Sequence, residues 1–480
     1  MHIVTDSLIT ILIHFNYFVL FYMIFVNAIY TLLFLVSIHA LYIHRQKKKY
    51  WSYEDMLASN YTPPLSLIIP CYNEESTIND NVKALLSMNY REFELIIVND
   101  GSKDSTLDQL ISEFELQKIK MPYRRKLNTE EINDIYFSRL FDNIVVVDKK
   151  NGGKADALNA GINISKYPII TAIDADSILE RDSLAKVIRP FVEDPSVVVS
   201  GGVIRPVNDC VVDKGFIESI HLSKKHLVRF QTVEYLRAFL FGRLGWGSFN
   251  ALLIISGAFG VFNKDVVIEA GGYTEDTVGE DMELIVKIHR NRRKLKKPYK
   301  IVFIPDPVCW TQVPEDRRIL KNQRKRWHKG LMDTMLNHKS MLLNFKYGSV
   351  GLMAMPYFFL AEMLGGVIEV FGYLFVPLSF LLGIVSFEFF IVFLILSILY
   401  GIFLSSSAIL LDEYSFSKYN HVKEYLILIL YSILENVGYR QMNAWWRCKA
   451  FFEYRRGKKS WGDMTRTQFT AETTNKKDKQ

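Results

Sequence analysis

The chain has 480 residues, enough for one large domain or two ordinary ones, and a formal net charge of +7. Its apolar residues, 49% of the total, crowd into Leu8–Ile43 and Val350–Leu411, with a shorter run at Tyr425–Leu434. Basic residues cluster beside those runs, at 44–49, 321–329 and 455–459, with no recognisable nucleic-acid module, so nucleic acid is set aside as a partner.

The first apolar run reads as one membrane helix. It is too long for a signal peptide and lacks both a small-residue cleavage site and a basic leader, so it is expected to be retained. The basic flanks are expected to face the cytoplasm, held by anionic lipid headgroups. Four cysteines, Cys71, Cys210, Cys309 and Cys448, form no CxxC pair and no zinc-ligand spacing, and read as reduced thiols.

Residues 65–345 change character. Short β-branched runs at Leu65–Pro70, Phe93–Asn99, Ile144–Asp148, Ile169–Asp174, Val197–Gly201 and Ile301–Ile304 alternate with helical patterns. That alternation predicts an α/β domain with a largely parallel sheet. Glu115–Asp142 is polar, carries Pro122 and is long for a connection between strands. It is expected to be a surface helical insertion.

The first strand runs out at Pro70-Cys71-Tyr72-Asn73-Glu74, and the next ends at Asn99-Asp100-Gly101-Ser102. Ligands of open α/β sheets bind at the carboxyl ends of strands. Asp100 is a candidate acceptor for a base ring and Tyr72 a candidate wall, although such a turn alone is usually only a turn. In Asn151-Gly152-Gly153-Lys154, glycines allow close backbone approach and Lys154 offers charge to phosphate oxygens.

Asp174-Ala175-Asp176 follows a buried strand, and alternation places its two carboxylates on one side. A hard divalent cation is held by one or two such carboxylates together with substrate phosphates. Ser256-Gly257-Ala258-Phe259-Gly260 is either a small-residue turn that admits an acceptor or tight packing. Gly279-Glu280-Asp281 opens a helix; either acid favours the helix dipole, and either, Asp281 first, suits a general base.

Gln323-Arg324-Lys325-Arg326-Trp327 begins an amphipathic segment over 321–346 expected to lie on the membrane face. Its indole can stack on a sugar ring, and Arg324 and Arg326 can hold a departing diphosphate. About 60 apolar residues then suffice for two crossings. Val422–Trp446 carries Glu424, Glu435, Asn436, Arg440, Gln441 and Asn443, costly in lipid, and reads as interfacial or channel-lining. The polar tail holds Trp461-Gly462-Asp463-Met464-Thr465-Arg466.

The ordered set of motifs resembles family 2 glycosyltransferases, specifically the processive membrane synthases of cellulose, hyaluronan and chitin, over about Leu65–Met341. The resemblance implies a GT-A type fold, a Rossmann-like mixed sheet, with an α-helical transmembrane region. It implies a UDP-sugar donor, a growing polysaccharide and Mg²⁺ or Mn²⁺. Tyr72 and Asp100 match uridine-binding positions, Lys154 the diphosphate position, and Asp174 and Asp176 the DxD, with Asp176 on the metal. Asp281 matches the base within a Gly-Glu-Asp variant. Gln323, Arg326 and Trp327 match QxxRW, and Trp461 to Arg466 resembles a gating loop.

The whole pattern is most similar to bacterial exopolysaccharide synthases. A mixed-linkage β-1,3/1,4-glucan made from UDP-glucose is the expected product; N-acetylglucosamine and alternating donors fit the same motifs, as does a non-processive transfer to a lipid carrier. The expected division is a membrane helix and basic flank at 1–50, a cytosolic catalytic domain at 51–320, an interface helix at 321–347, membrane or interfacial helices at 348–447 and a cytosolic tail at 448–480. The expected location is a bacterial cell membrane, crossed more than once.

Overall fold

The computed structural model describes residues 2–50, 56–57, 62–419 and 421–456. The Trp461–Arg466 segment lies outside the described residues.

Twelve strands are present among the described residues: β1 (Leu65–Cys71), β2 (Phe93–Asn99), β3 (Leu116–Ile119), β4 (Ile132–Ser138), β5 (Ile144–Lys149) and β6 (Ile169–Ile173). They continue with β7 (Ile178–Leu179), β8 (Val197–Pro206), β9 (Val211–Asp213), β10 (Phe216–Ser219), β11 (Phe259–Asn263) and β12 (Lys300–Thr311). Ten form one sheet in the order β3-β4-β5-β2-β1-β6-β11-β8-β12-β7, and β9 and β10 form a separate hairpin. β5, β2, β1 and β6 are mutually parallel. β11 runs antiparallel to both β6 and β8, so the sheet is mixed rather than largely parallel.

Parallel pairing aligns the ends that matter. Cys71 lies opposite Asn99, and Asn99 opposite Asp148, while β6 stops one residue before Asp174. The motif-bearing turns therefore leave one edge of the sheet together. Helix Lys154–Ile164, which the Gly152-Gly153 turn opens, packs flat on β1; a β-carbon at Gly161 would lie 2.3 Å from Ile68 Cγ2.

The insertion at 115–142 is not helical. It forms the antiparallel pair β3 and β4, which extends the sheet beyond β5. Its residues are mostly half-buried or exposed, as suits an edge with one neighbour. Polar strands of this kind carry little apolar alternation, which is why the helical expectation failed.

The amino-terminal helix spans His2–Tyr50. At 1.5 Å per residue it is about 74 Å long, far beyond a bilayer core of about 30 Å. The excess carries its basic end to the sheet domain. His44 meets buried Asp306 at 2.6 Å, Lys48 the same carboxylate at 3.5 Å and Lys47 reaches Glu193 at 3.0 Å. The flank expected to bind lipid headgroups is thus at least partly neutralised by protein.

Ser7–Lys48 and Phe387–Phe416 are each long and apolar enough to cross a membrane. Val350–Met363 and Gly365–Leu381 make a third candidate, bent by 46°. Polar contacts join them across the chain. Asn16 Nδ2 donates to Ser379 Oγ at 2.8 Å, and Asn27 Nδ2 to the Leu396 carbonyl at 3.0 Å. Val422–Leu434 is followed by a kink at Val437 and Gly438, the latter at φ +96°, where a side chain would be strained. Helix Arg440–Arg455 then turns back against helix Arg317–Asn337.

That second helix is capped by Asp316, whose Oδ1 accepts from the Arg318 and Ile319 amides at 2.7 and 3.2 Å. Its buried face includes Leu320, Arg324, His328 and Met332, each one turn apart. Met332 and Met335 are core residues, so part of the apolar face of this segment packs on protein; Leu336 and Leu343 are exposed. Lys325 and Lys329 pair with Glu453 at 2.5 and 3.9 Å.

Arg205 at the end of β8 and Asp412 form a buried ion pair that helps fasten the sheet to the membrane helices. Removing one partner leaves the other buried and unpaired, a cost of about 3–5 kcal/mol. Arg205→Met should therefore lower the Tm in detergent markedly, and pairing it with Asp412→Leu should recover much of the loss. An additive double variant would show that the pair is not coupled.

Candidate active site

Lys154 stands at the centre. Its Nζ lies 2.5 Å from Asp174 Oδ1 and 3.5 Å from Glu280 Oε1. Burial works against its ammonium, but Asp174, then Glu280 and Asp281, outweigh it and hold the group charged far above its ordinary range. Backbone contacts close the cluster. The Asp174 amide donates to the Ala258 carbonyl at 3.4 Å, and the Gly257 amide donates to Asp281 Oδ2 at 3.2 Å. A β-carbon at Gly257 would lie 3.2 Å from Lys154 Nζ, so this glycine keeps the centre of the site open. Lys154, Asp174, Gly257, Glu280 and Asp281 are thus one constellation built from four separate stretches.

Asp176 sits two residues beyond Asp174. Burial, reinforced by the Asp174 charge, pushes its carboxyl up to about 6. Glu280 is raised by burial too, against the pull of Lys154. Asp174 already answers to an ammonium, so Asp176 is the carboxylate that a cation would relieve. Among the described residues no cluster of three or more metal-ligating side chains exists. Two carboxylates fit a Mg²⁺ or Mn²⁺ site that is completed by ligand phosphates.

Asp100 is tied into the protein. It is 3% exposed, and its oxygens accept from Lys149 Nζ at 2.6 Å and from the Gly152 and Gly153 amides at 3.0 and 2.8 Å. These three bonds shape the glycine turn. Lys149, fully buried between Asp100 and Asp156, holds that arrangement and was missed by the sequence reading. Tyr72 is 43% exposed beside the Asn73 turn, which Ser102 Oγ fastens at 3.0 Å, and stays available as a wall.

Helix Arg317–Asn337 meets the acid turn at two glycines. A β-carbon at Gly330 would lie 2.8 Å from the Gly279 Cα, and the reverse distance is also 2.8 Å. Gly330 is one turn beyond Trp327, on the same helix face. That contact brings the helix that carries the half-exposed Trp327 indole against the turn that carries Glu280 and Asp281. Gln323 is half-buried, with Oε1 lacking a hydrogen-bond partner.

Arg324 does not face the diphosphate position as expected. It stacks on Trp327 at 4.5 Å and donates to Glu234 Oε2 at 2.9 Å. Arg326, two residues on, leaves the helix about 200° away.

Behind Trp327 lies a cavity of about 330 Å³ between the membrane helices, lined in part by Arg324, Trp327 and His328. Tyr22 and Tyr30 of the amino-terminal helix line it too, as do Glu362 and Glu369. Within Val422–Trp446, the stretch expected to be interfacial or channel-lining, Glu435, Tyr439, Arg440 and Asn443 line it. Trp445 is 57% exposed, and Trp446 packs on Leu320 and Tyr439. Burial, with the Arg447 guanidinium, pushes His328 down to about 3, leaving its ring neutral. Glu362 and Glu369, two helical turns apart in an apolar run, were the readable signal of this cavity.

The family model described as Glycosyl transferase family 2 matches residues 66–252, and that described as Glycosyl transferase family group 2 matches residues 169–404. The chain is 30% identical over 272 residues to the poly-beta-1,6-N-acetyl-D-glucosamine synthase of Staphylococcus aureus (strain COL), covering 57% of this chain and 55% of the relative. It is 29% identical to the synthase of the same name from Staphylococcus epidermidis, with the same coverage. The chain thus spans about half the length of the curated relatives it matches. The mannosyltransferase PcManGT from Pyrobaculum calidifontis, solved with GDP-Man and Mn²⁺, superposes with a TM-score of 0.50 at 17% identity, covering 90% of this chain and 99% of that one. That likeness shows the fold, a GT-A type mixed sheet.

Two outcomes follow from the geometry. Gly330→Ala drives the helix from the acid turn, so turnover should fall roughly 10–100-fold while donor KM stays within about twofold. Steady-state kinetics checks this. For Asp176, a carboxyl raised in the folded state destabilises the protein as pH climbs from the ordinary carboxylate range through about 6. The stabilising effect of Mn²⁺ on Tm should accordingly shrink below pH 6, where protons compete, and vanish in Asp176→Asn.

Proposed function

We propose that the chain, a family 2 glycosyltransferase, polymerises a UDP-sugar with inversion and passes the product into its own membrane cavity. The observation that carries this reading is the convergence of Lys154, Asp174 and Asp281 at one end of a contact whose other end bears Trp327 and the cavity.

Asp281 Oδ2, held on the Gly257 amide, takes the proton of an acceptor hydroxyl. The freed oxygen bonds to the anomeric carbon on the face opposite the leaving group, and the bond from that carbon to the diphosphate oxygen breaks. UDP departs with the electron pair, its negative charge met by Lys154 and Arg326. A divalent cation held by Asp176 and the diphosphate would supply further neutralisation. Trp327 stacks on the acceptor ring and keeps the attack in line. The extended chain then advances into the cavity by one unit.

The donor we favour is UDP-N-acetylglucosamine, because both named synthases make a polymer of that sugar. This places it ahead of UDP-glucose and a mixed-linkage glucan, which nothing beyond the motifs supports. We also place the sheet domain on the cytoplasmic side of a bacterial cell membrane, where nucleotide sugars are made and the basic helix ends belong.

Purified protein in nanodiscs with Mn²⁺ should release UDP from UDP-N-acetylglucosamine and yield a long polymer. A product that lichenase cuts, made from UDP-glucose, would restore the glucan. UDP release with only short, lipid-extractable product would instead identify a single-sugar transferase. Asp281→Asn should reduce turnover by at least 10³-fold with UDP affinity largely kept; retained turnover would exclude Asp281 as the base.

A further inference from the structure

The cavity behind Trp327 has a definite charge pattern. Arg324 pairs with Glu234 at 2.9 Å, and Arg447 with Glu362 at 3.3 Å. Arg237 is bonded to Glu435, whose carboxylate also lies 4.0 Å from Arg440. Arg440 further donates to Asn436 at 2.8 Å. Glu369 lies beside Arg447, the two side chains each reaching 3.8 Å from where a β-carbon on Gly365 would sit. Four arginines and four glutamates line the cavity, so its formal charge cancels, and every arginine has a carboxylate within 4.0 Å, Arg440 sharing Glu435 with Arg237.

What the lining leaves over is hydrogen-bonding capacity. Arg324 Nε, His328 Nε2, Glu435 Oε2 and Asn443 Oδ1 are buried and lack hydrogen-bond partners. Such atoms are costly unless a ligand or water meets them. They offer an N–H, an imidazole nitrogen, a carboxylate oxygen and an amide oxygen, a mixed set suited to hydroxyl and acetamido groups.

Resting on the reading that this cavity receives the product, we infer that it is built for an uncharged sugar polymer and turns away one that carries carboxylates. A uronate entering here finds no unpaired guanidinium. To gain a partner it must detach an arginine from Glu234, Glu362 or Glu435, which leaves that glutamate buried without its cation. It also brings a charge into a cavity whose arginines and glutamates already balance. A neutral chain needs no such exchange and supplies both donors and acceptors to the four unpartnered atoms. Polymer identity is therefore tested twice, once at the donor site and again by charge in the exit cavity.

The test uses the full chain in nanodiscs with two labelled hexasaccharides of equal length. One is built of N-acetylglucosamine alone, and the other alternates N-acetylglucosamine with glucuronate. Fluorescence anisotropy at low salt should show the neutral probe binding at least tenfold more tightly. Glu369→Gln removes one formal negative charge without breaking an ion pair named above, and should narrow that gap. Equal or tighter binding of the acidic probe to the unaltered protein overturns the inference, whatever the variant does. If neither probe binds while long polymer is still made, the inference fails and the polymerase reading stands. If UDP release yields only single transfers, the polymerase reading itself fails.

Discussion

One ammonium group organises the catalytic end of this molecule. Lys154 comes from the turn that follows β5, Asp174 from the end of β6, and Glu280 and Asp281 from a helix start more than a hundred residues further on. Three or four carboxylates gathered in a half-buried space would repel one another and ionise incompletely. The lysine makes the gathering affordable, and its own burial is tolerable only because they surround it. The cluster thus has one stable arrangement of charges, which is a form of preorganisation. Any negative ligand that enters must deal with a cation already positioned.

From that centre the order passes outward through backbone rather than long side chains. The glycine at 257 lets Asp281 bond to an amide, and the paired glycines at 279 and 330 let a helix touch the acid turn directly. Backbone contacts have few soft torsions, so the indole of Trp327 inherits its position from the same frame that holds the acids. The frame in turn is moored to the membrane helices by Arg205 with Asp412 and by His44 and Lys48 with Asp306. The acid cluster and the cavity behind Trp327 are joined along this route, and Arg324 and His328, one turn apart on the same helix, line the cavity.

Much of this was legible in the residues, for a physical reason. An acid pair after a buried strand, a lysine after a glycine turn and a tryptophan among arginines each have few uses, so Lys154, Asp174 and Asp281 could be named and are found together. The failures have reasons too. The pairing of Asp100 with Lys149 was not legible, because nothing in a strand sequence announces that its last residue will turn inward to an ion pair. The β3–β4 hairpin was read as helical because an edge pair with polar faces lacks the alternation that betrays a strand. Arg324 was assigned to the diphosphate because a helix was known but not its rotation. The contact of Gly279 with Gly330, 51 positions apart, leaves no local trace at all.

The polar residues of the amino-terminal helix carry a consequence for how the protein is made. Asn16 and Asn27 face partners at Ser379 and Leu396, more than 360 positions later. At about 5–20 residues per second, synthesis completes the first helix roughly 20–70 s before those partners exist. During that interval the two side-chain amides lack the partners they have in the fold. An apolar helix with unmet amides gains from shelter until the segments that carry Ser379 and Leu396 are made.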